Sequence, residues 1–401
     1  MNPLASSQPA LLLYEPRTEG HHLAWLRLIA GDLLGAGFRL TLAVDRRPGA
    51  ENHLHDHLGD LLSQVPLFNA YDASGRRHAD GRANSVAYCL EQTGMENVFL
   101  GSFDEIASSC WRRAAVGILP PARLRGRMGG IYHRPRFLAA PRWSPNQWLK
   151  KTGFRRLLRD GWLRQLLFLD EYLARDCRSE FPNAPISFLP DPCPENFSGD
   201  AQDARRLLEV PSDRRVFLFY GTGARRKGLH LAVTAFQEMP PTEPAFLLCV
   251  GQQNPGNRTA DGLRQLEAQG RARLINRYVT VAEEQLSFAA CDVVLLPYVG
   301  HFGISAVLSQ AMAASKPVIA SDEQLMGRLV REQNAGLLFR SGDAAALRQA
   351  VQKALNAPDG ERLRWKEAAR QYAARHSRAA FRVALLESFA PRPPDPKRLK
   401  T

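Results

Sequence analysis

The chain has no run of eighteen apolar residues, so nothing in it reads as a membrane-crossing helix. Its first apolar stretch, residues 10–14, is too short for a secretion signal and reads as a buried strand, so the expectation is a cytoplasmic protein. Cysteine is sparse: the six, at 89, 110, 177, 193, 249 and 291, form no CxxC pair, which argues against a zinc site and a disulfide framework and fits a reducing compartment. No GxGxxG follows the first strand, which argues against a dinucleotide-dependent dehydrogenase, whose pyrophosphate needs that turn. Neither a cofactor nor a metal is expected. Acids are almost missing from residues 112–164, where fourteen Lys or Arg face one carboxylate, Asp160; that local imbalance equals the excess of the whole chain, +13. No recognised nucleic-acid motif accompanies these bases, and no nucleic acid partner is expected.

Over the 401 residues, 45% hydrophobic and 23% charged composition is that of an ordinary soluble protein with room for two or three cores. The segment CDVVLLPYVGHFGISAVLSQAMAASKPVIASD carries the most chemistry. DVVLLPY and PVIAS are apolar runs of strand length, and residues 305–314 between them read as a helix with Ser305 at its N-cap. A strand, helix, strand unit puts the loop 299–304 at the carboxyl end of a parallel sheet. There the amides of Ala306, Val307 and Leu308 present partial positive charge to a phosphate. Most such units in doubly wound domains bind nothing. A second segment adds to the case: the strand RVFLFYG runs into TGARRKG before a helical pattern starts at Leu229. Gly221 and Gly223 let the backbone approach a ligand, and Arg226 and Lys227 bring charge to the same mouth, whereas Arg225 reads as part of a solvated basic turn.

These residues carry a resemblance. The ordered set GTGARRKGLHLAVTAF, FLLCVG, RYVTVAEEQLSFAACDVVLLPY, SAVLSQAMAASKPVIASD and GLLFRSGDAAALRQAV, spanning roughly residues 214–355, is similar to the donor half of family-4 glycosyltransferases of GT-B architecture. The resemblance implies an α/β fold of two Rossmann-like doubly wound domains facing across a cleft, with a nucleotide-diphosphate sugar donor in the second domain and a glycan or lipid-linked acceptor in the first. It further implies transfer in the cleft, with retention of configuration, no metal and a hexosyl group as the cargo. Gly221, Thr222, Arg226, Lys227, Ser305, Ala306, Val307 and Gln310 are the donor-binding residues on this reading. Two departures bear on it. Thr222 stands where the family often has an arginine, and Phe302 and Gln310 stand where it usually has two glutamates. A neutral acceptor is worth about 1 kcal/mol against roughly 1.5–3 for a charged one, so a catalytically inactive, glycosyltransferase-like binding protein is the alternative reading. Some members with a Ser-led helix also lack the glutamate pair.

The first half opens like a Rossmann domain: a strand at 10–14, the loop EPRTEG, a helix over 21–36 ended by Gly37, and the strand FRLTLAV. Gly20, His21 and His22 lie at the helix start, as acceptor-side or catalytic candidates or as helix-end packing. His133, closing GGIYHRP, resembles the strand-end histidine placed beside the donor's anomeric carbon, and a surface histidine is the competing reading. Asp104 and Glu105 follow the strand VFLGSF and either position an acceptor hydroxyl or cap the next helix.

Within 112–164, Trp148, Leu149, Phe154, Leu157, Leu158 and Trp162 interleave with Lys150, Lys151, Arg155, Arg156 and Arg159. Two readings are open: a helix lying on an anionic membrane, making the protein peripheral at its inner face, or a solvated face beside core. WLRQLLFL after Gly161 reads as a buried core helix. The expected domains are an acceptor domain over 1–188, a linker over 189–200 rich in proline, a donor domain over 201–360, terminal helices over 361–390 that cross back to the first domain, and a disordered tail, 391–401.

Overall fold

The computed structural model describes residues 8–18, 22–138, 144–194, 197, 199–222, 225–253, 256–303 and 305–390. The chain divides into two compact units: one runs to Leu189 and resumes at Arg382, the other is Pro190–Phe381.

In the first unit seven strands, β1 (Ala10–Glu15), β2 (Arg39–Val44), β3 (Leu67–Asn69), β4 (Asn97–Leu100), β5 (Met128–Tyr132), β6 (Leu163–Phe168) and β7 (Ile186–Phe188), form one parallel sheet in the order β3-β2-β1-β4-β5-β6-β7. All six residues of β1 are buried, as expected of a central strand covered on both faces. The helices that supply the covers are α1 (His22–Gly35), α2 (Glu51–Leu58), α3 (Leu61–Gln64), α4 (Arg82–Gln92), α5 (Asp104–Ala115), α6 (Pro145–Arg159) and α7 (Glu171–Glu180).

The second unit repeats the plan with β8 (Arg215–Tyr220), β9 (Ala245–Val250), β10 (Ala272–Ile275), β11 (Val293–Leu296), β12 (Val318–Ser321) and β13 (Gly336–Phe339), ordered β10-β9-β8-β11-β12-β13 and again parallel. Its helices are α8 (Ala201–Leu207), α9 (Leu229–Gln237), α10 (Asn257–Ala268), α11 (Val281–Ala290), α12 (Ala306–Ala313), α13 (Gln324–Gln333), α14 (Ala344–Leu355) and α15 (Asp359–Arg375). The starts are written in the sequence: Asp200, Asp343 and the Thr280–Glu283 capping box each satisfy first-turn amides. In each sheet the strand order reverses once, between β1 and β4 and between β8 and β11. At such a reversal the loops leaving the two strands diverge and open a crevice.

Three expectations change. WLRQLLFL is not a helix: its core forms β6, because an apolar run of this length is compatible with either element and the sheet supplies partners on both sides, β5 and β7. Phe154 and Trp162 are buried and face no membrane. Phe154 packs edge-on against Trp111 and Phe137, with ring centroids 5.2 and 5.6 Å apart, where α6 meets α5. The helices approach so closely that a Cβ on Gly153 would fall 1.7 Å from the carbonyl oxygen of Trp111. Lastly, the terminal helices expected together over 361–390 part company: α15 packs on α12 and α13 of the second unit. From Arg382, α16 (Arg378–Phe389) belongs to the first unit, with Phe389 against Phe38 and Phe99 at 5.2 and 5.5 Å. The tail 391–401 lies outside the described residues.

Candidate functional site

The second unit's crevice is built by two loops that lock together. β8 ends at Tyr220, Gly221 turns the chain at φ 105°, and a short 3-10 turn, Arg225–Lys227, leads to Gly228, which starts α9 at φ 76°. Gly228 cannot be replaced without moving the site, because a Cβ there would lie 1.8 Å from the carbonyl oxygen of Pro297, just past β11. The amide of Val299 donates to the carbonyl of Arg226 at 2.8 Å, a second tie between the loops.

Lys227 folds back over Gly221, whose added Cβ would meet Nζ at 2.5 Å, and Nζ lies 5.8 Å from the Tyr298 ring centroid. No carboxylate of the described residues pairs with it. Burial, and then the charge of Arg226, lower its pKa, which means that its surroundings hold a cation at a cost that an anion would relieve. Arg226 is exposed, with Nη1 3.3 Å from Nδ1 of His301. Thr222 is exposed beside Gly221, while Gly223 lies outside the described residues.

Ser305 precedes α12 as expected, but its hydroxyl does not cap the helix; it donates to the Tyr298 hydroxyl at 3.3 Å. The first-turn amides of Ala306, Val307 and Leu308 therefore have no side-chain acceptor among the described residues, and the helix opens at the crevice as an electropositive end. Glu323 holds the intervening loop through the Gly300 amide at 2.7 Å. Gln310 lies one turn further along α12, and its Oε1 is buried without a hydrogen-bond partner among the described residues. An unsatisfied buried carbonyl oxygen costs about 1–3 kcal/mol, which a bound donor group would return.

Sequence reasoning missed the second layer. Gln253 is buried beyond β9, accepts no role from its neighbours in sequence, and donates to the Gly221 carbonyl while its own amide donates to Asn276 at 2.6 Å. Tyr220 donates to Glu284 at 2.5 Å. Both join segments distant in sequence, so no local pattern announces them.

The first unit's crevice gathers the other candidates. Glu15 at the end of β1, Gly101 after β4 and His133 after β5 sit at the carboxyl ends of three adjacent strands. Nδ1 of His22 lies 3.2 Å from Oε2 of Glu15. Nε2 of His133 lies 3.1 Å from the Gly101 carbonyl oxygen, and its ring meets Trp25 edge-on at 5.6 Å. Burial pulls the His133 pKa down to about 4, so the imidazole is neutral at physiological pH. Asp104 commits both oxygens to backbone amides, those of His133 at 2.8 Å and Arg134 at 3.0 Å, and burial raises its pKa. It thereby holds His133 in place. Glu105 is ringed by Arg77 at 2.9 Å, Arg82 at 3.5 Å and Arg17 at 3.7 Å, a charge cluster that sequence reasoning did not find. Gly20 and His21 lie outside the described residues.

Over nearly its full length the chain superposes on the sucrose-phosphate synthase of Thermosynechococcus elongatus, with a TM-score of 0.63 at 16% identity, covering 95% of this chain and 98% of that one. It does so equally on HepE of Anabaena in complex with UDP, with a TM-score of 0.62 at 15% identity, covering 94% and 99%. The fold is GT-B. Residues 200–372, most of the second unit, match the family model described as glycosyl transferases group 1. Over 204 residues the chain is 30% identical to D-inositol 3-phosphate glycosyltransferase of Corynebacterium urealyticum, covering 49% of this chain and 47% of that protein, so the chain spans about half of that relative's length.

Proposed function

We propose that this GT-B protein is a glycosyltransferase of the family-4 type, moving a hexose from a nucleotide-diphosphate donor held by the second unit to a hydroxyl of a glycan or lipid-linked acceptor held by the first. The observation that carries the reading is Lys227: a half-buried cation with no carboxylate partner among the described residues, beside Tyr298, whose hydroxyl accepts from Ser305 at the start of α12, at the point where the strand order reverses. A diphosphate supplies the missing negative charge. In the transfer the bond from the anomeric carbon to the diphosphate breaks, its electron pair leaves with the phosphate oxygen, and the acceptor oxygen forms the new bond as it gives up its proton to that departing oxygen. Lys227 and the amides of Ala306, Val307 and Leu308 stabilise the charge that grows on the leaving group. Retention of configuration and independence of a metal belong to the family-4 reading.

HepE has been solved with UDP and with UDP-glucose, which supports a nucleotide-sugar donor. The relative in Corynebacterium urealyticum is described as acting on D-inositol 3-phosphate, which supports an acceptor that carries phosphate, and the arginines around Glu105 suit one. The base-rich region 112–164 supports work at the inner face of a cytoplasmic membrane; no helix among the described residues is long and apolar enough to cross one.

The test is titration of a panel of nucleoside diphosphates and their sugars, read by calorimetry, followed by an assay for slow hydrolysis of the sugar that binds. Binding with hydrolysis is expected. Binding without any hydrolysis, and no transfer to any acceptor, would instead fit an inactive binding protein, for which the neutral Gln310 and Phe302 speak. Absence of nucleotide binding would end both readings.

A further inference from the structure

A groove of about 420 Å³ runs along α5 of the first unit, walled at one end by the start of α4 and at the other by the loop that follows α5. Its two ends differ. At the α4 end, Glu105 is neutralised by Arg77 and Arg82, Asp104 is spent on two backbone amides, and Asp80 is the remaining carboxylate. At the other end stand Arg112 and Arg113 in the last turn of α5, both exposed and neither paired with a carboxylate of the described residues. Lys150 of α6 lies close enough to feel the charge of Arg112.

Directly after these arginines the chain exposes three large apolar residues within four positions: Val116 at 65%, Ile118 at 47% and Leu119 at 40%. Ile118 and Leu119 line the groove together with Pro120 and Pro121. Scattered apolar residues on a surface are ordinary, but an apolar tip beside unneutralised arginines is what the boundary between phosphate headgroups and acyl chains would cover.

We propose that the Arg112–Arg113 end of this groove, with the tip at Val116, Ile118 and Leu119, docks on an anionic phospholipid bilayer, the arginines taking a headgroup phosphate and the tip entering the acyl boundary. The proposal rests on the reading that the first unit works at a membrane, and it moves the contact from α6 to α5 and its following loop. The α6 face offers less: Phe154 is buried, Arg155 and Arg159 already face Glu180 and Asp160 at 2.6 and 3.2 Å, and its exposed aromatic, Trp148, stands alone at the start of the helix.

The experiment is flotation of the full chain with vesicles of phosphatidylcholine alone and of phosphatidylcholine mixed with phosphatidylglycerol, at low and high salt. The wild type floats with the anionic vesicles at low salt and is released at high salt. The double substitution Arg112→Gln and Arg113→Gln lowers the partition coefficient on the order of 30-fold, about fivefold per charge, and Ile118→Asp lowers it by roughly tenfold. The comparison pair Arg155→Gln and Arg159→Gln stays within about twofold of wild type. Unchanged nucleotide binding and melting temperature show that each variant is folded. If the wild type floats and the Arg112, Arg113 and Ile118 variants float equally well, the groove is not the docking site and the membrane reading stands without it. If the wild type ignores anionic vesicles, both fall. Release by inorganic phosphate, at an ionic strength where chloride does not release, would make the site one for free phosphate and overturn the docking assignment.

Discussion

Nδ1 of His22 lies 3.2 Å from Oε2 of Glu15, a carboxylate 1% exposed at the carboxyl end of β1. The contact ties the first residue of α1 to the strand that precedes it, and the same oxygen lies against Gly101, where an added Cβ would come 3.0 Å from it. Glu15 also holds Arg17, so removing its charge leaves two partners facing a neutral group. Glu15→Gln should cost about 1–3 kcal/mol of stability, read by denaturant unfolding, and should lower kcat by about tenfold or more with donor Kd unchanged. A variant that is less stable but turns over at the wild-type rate would show that Glu15 serves the fold alone.

Lys227 gives the sharpest test of the donor site. Lys227→Ala should weaken binding of a nucleoside diphosphate by about 1.5–3 kcal/mol, or roughly ten- to a hundredfold, because a charge-assisted contact is lost. The melting temperature of the free protein should hold or rise, since its surroundings already disfavour the cation. Equal affinity in calorimetry would remove Lys227 from the site.

Gln310 makes a conditional prediction. Its Oε1 is buried without a partner among the described residues, and a carboxylate in that place would be costlier still in the empty protein. Gln310→Glu should therefore lower the melting temperature without ligand, yet bind a ribonucleotide more tightly than wild type and its 2′,3′-dideoxy analogue no better. If affinity for the two analogues changes in parallel, the side chain does not face the ribose.

His133 carries a pH dependence whose sign follows from its burial. Burial brings its pKa from 6.5 to about 4. Above pH 6.5 the ring is neutral in both folded and unfolded chains; below it the unfolded chain takes up a proton that the folded one refuses until about pH 4. Stability is therefore lost as pH falls across that window, by at most about 1.4 kcal/mol per pH unit for one group. His133→Asn should flatten the slope of melting temperature between pH 6.5 and 4.5, and should lower kcat far more than donor affinity if the imidazole meets the reacting centre. Asp191, raised to about 6 by burial, acts with the opposite sign in both proteins and cancels from the difference. A variant with the wild-type slope would place His133 in water in the unbound state.

Much of the second unit could be read from local pattern. The strand, helix, strand unit around α12, the glycine turn at Gly221 and the cation at Lys227 all lie within short windows, where apolar runs and turn residues act over a few positions. The Ser305 position was legible too, but not what its hydroxyl does, because the competing partner, Tyr298, presents itself only when the loop folds back over β11.

The sequence by itself determined the parallel α/β plan, the two glycine-punctuated loops and the concentration of positive charge in residues 112–164, since each depends on neighbours in the chain. Only the tertiary structure decided which residues meet. Glu15, Gly101 and His133 are brought together by strand order, Glu105 acquires its arginines from two separate segments, the loop after β1 and the stretch 77–82, and Gly228 lodges against Pro297 across 69 positions of sequence. The same limit explains β6 and the α6 face. A run of apolar residues says that a segment is buried, while the choice between strand and helix, and between core and surface for Phe154 and Trp162, is made by the partners that the rest of the fold sets against it.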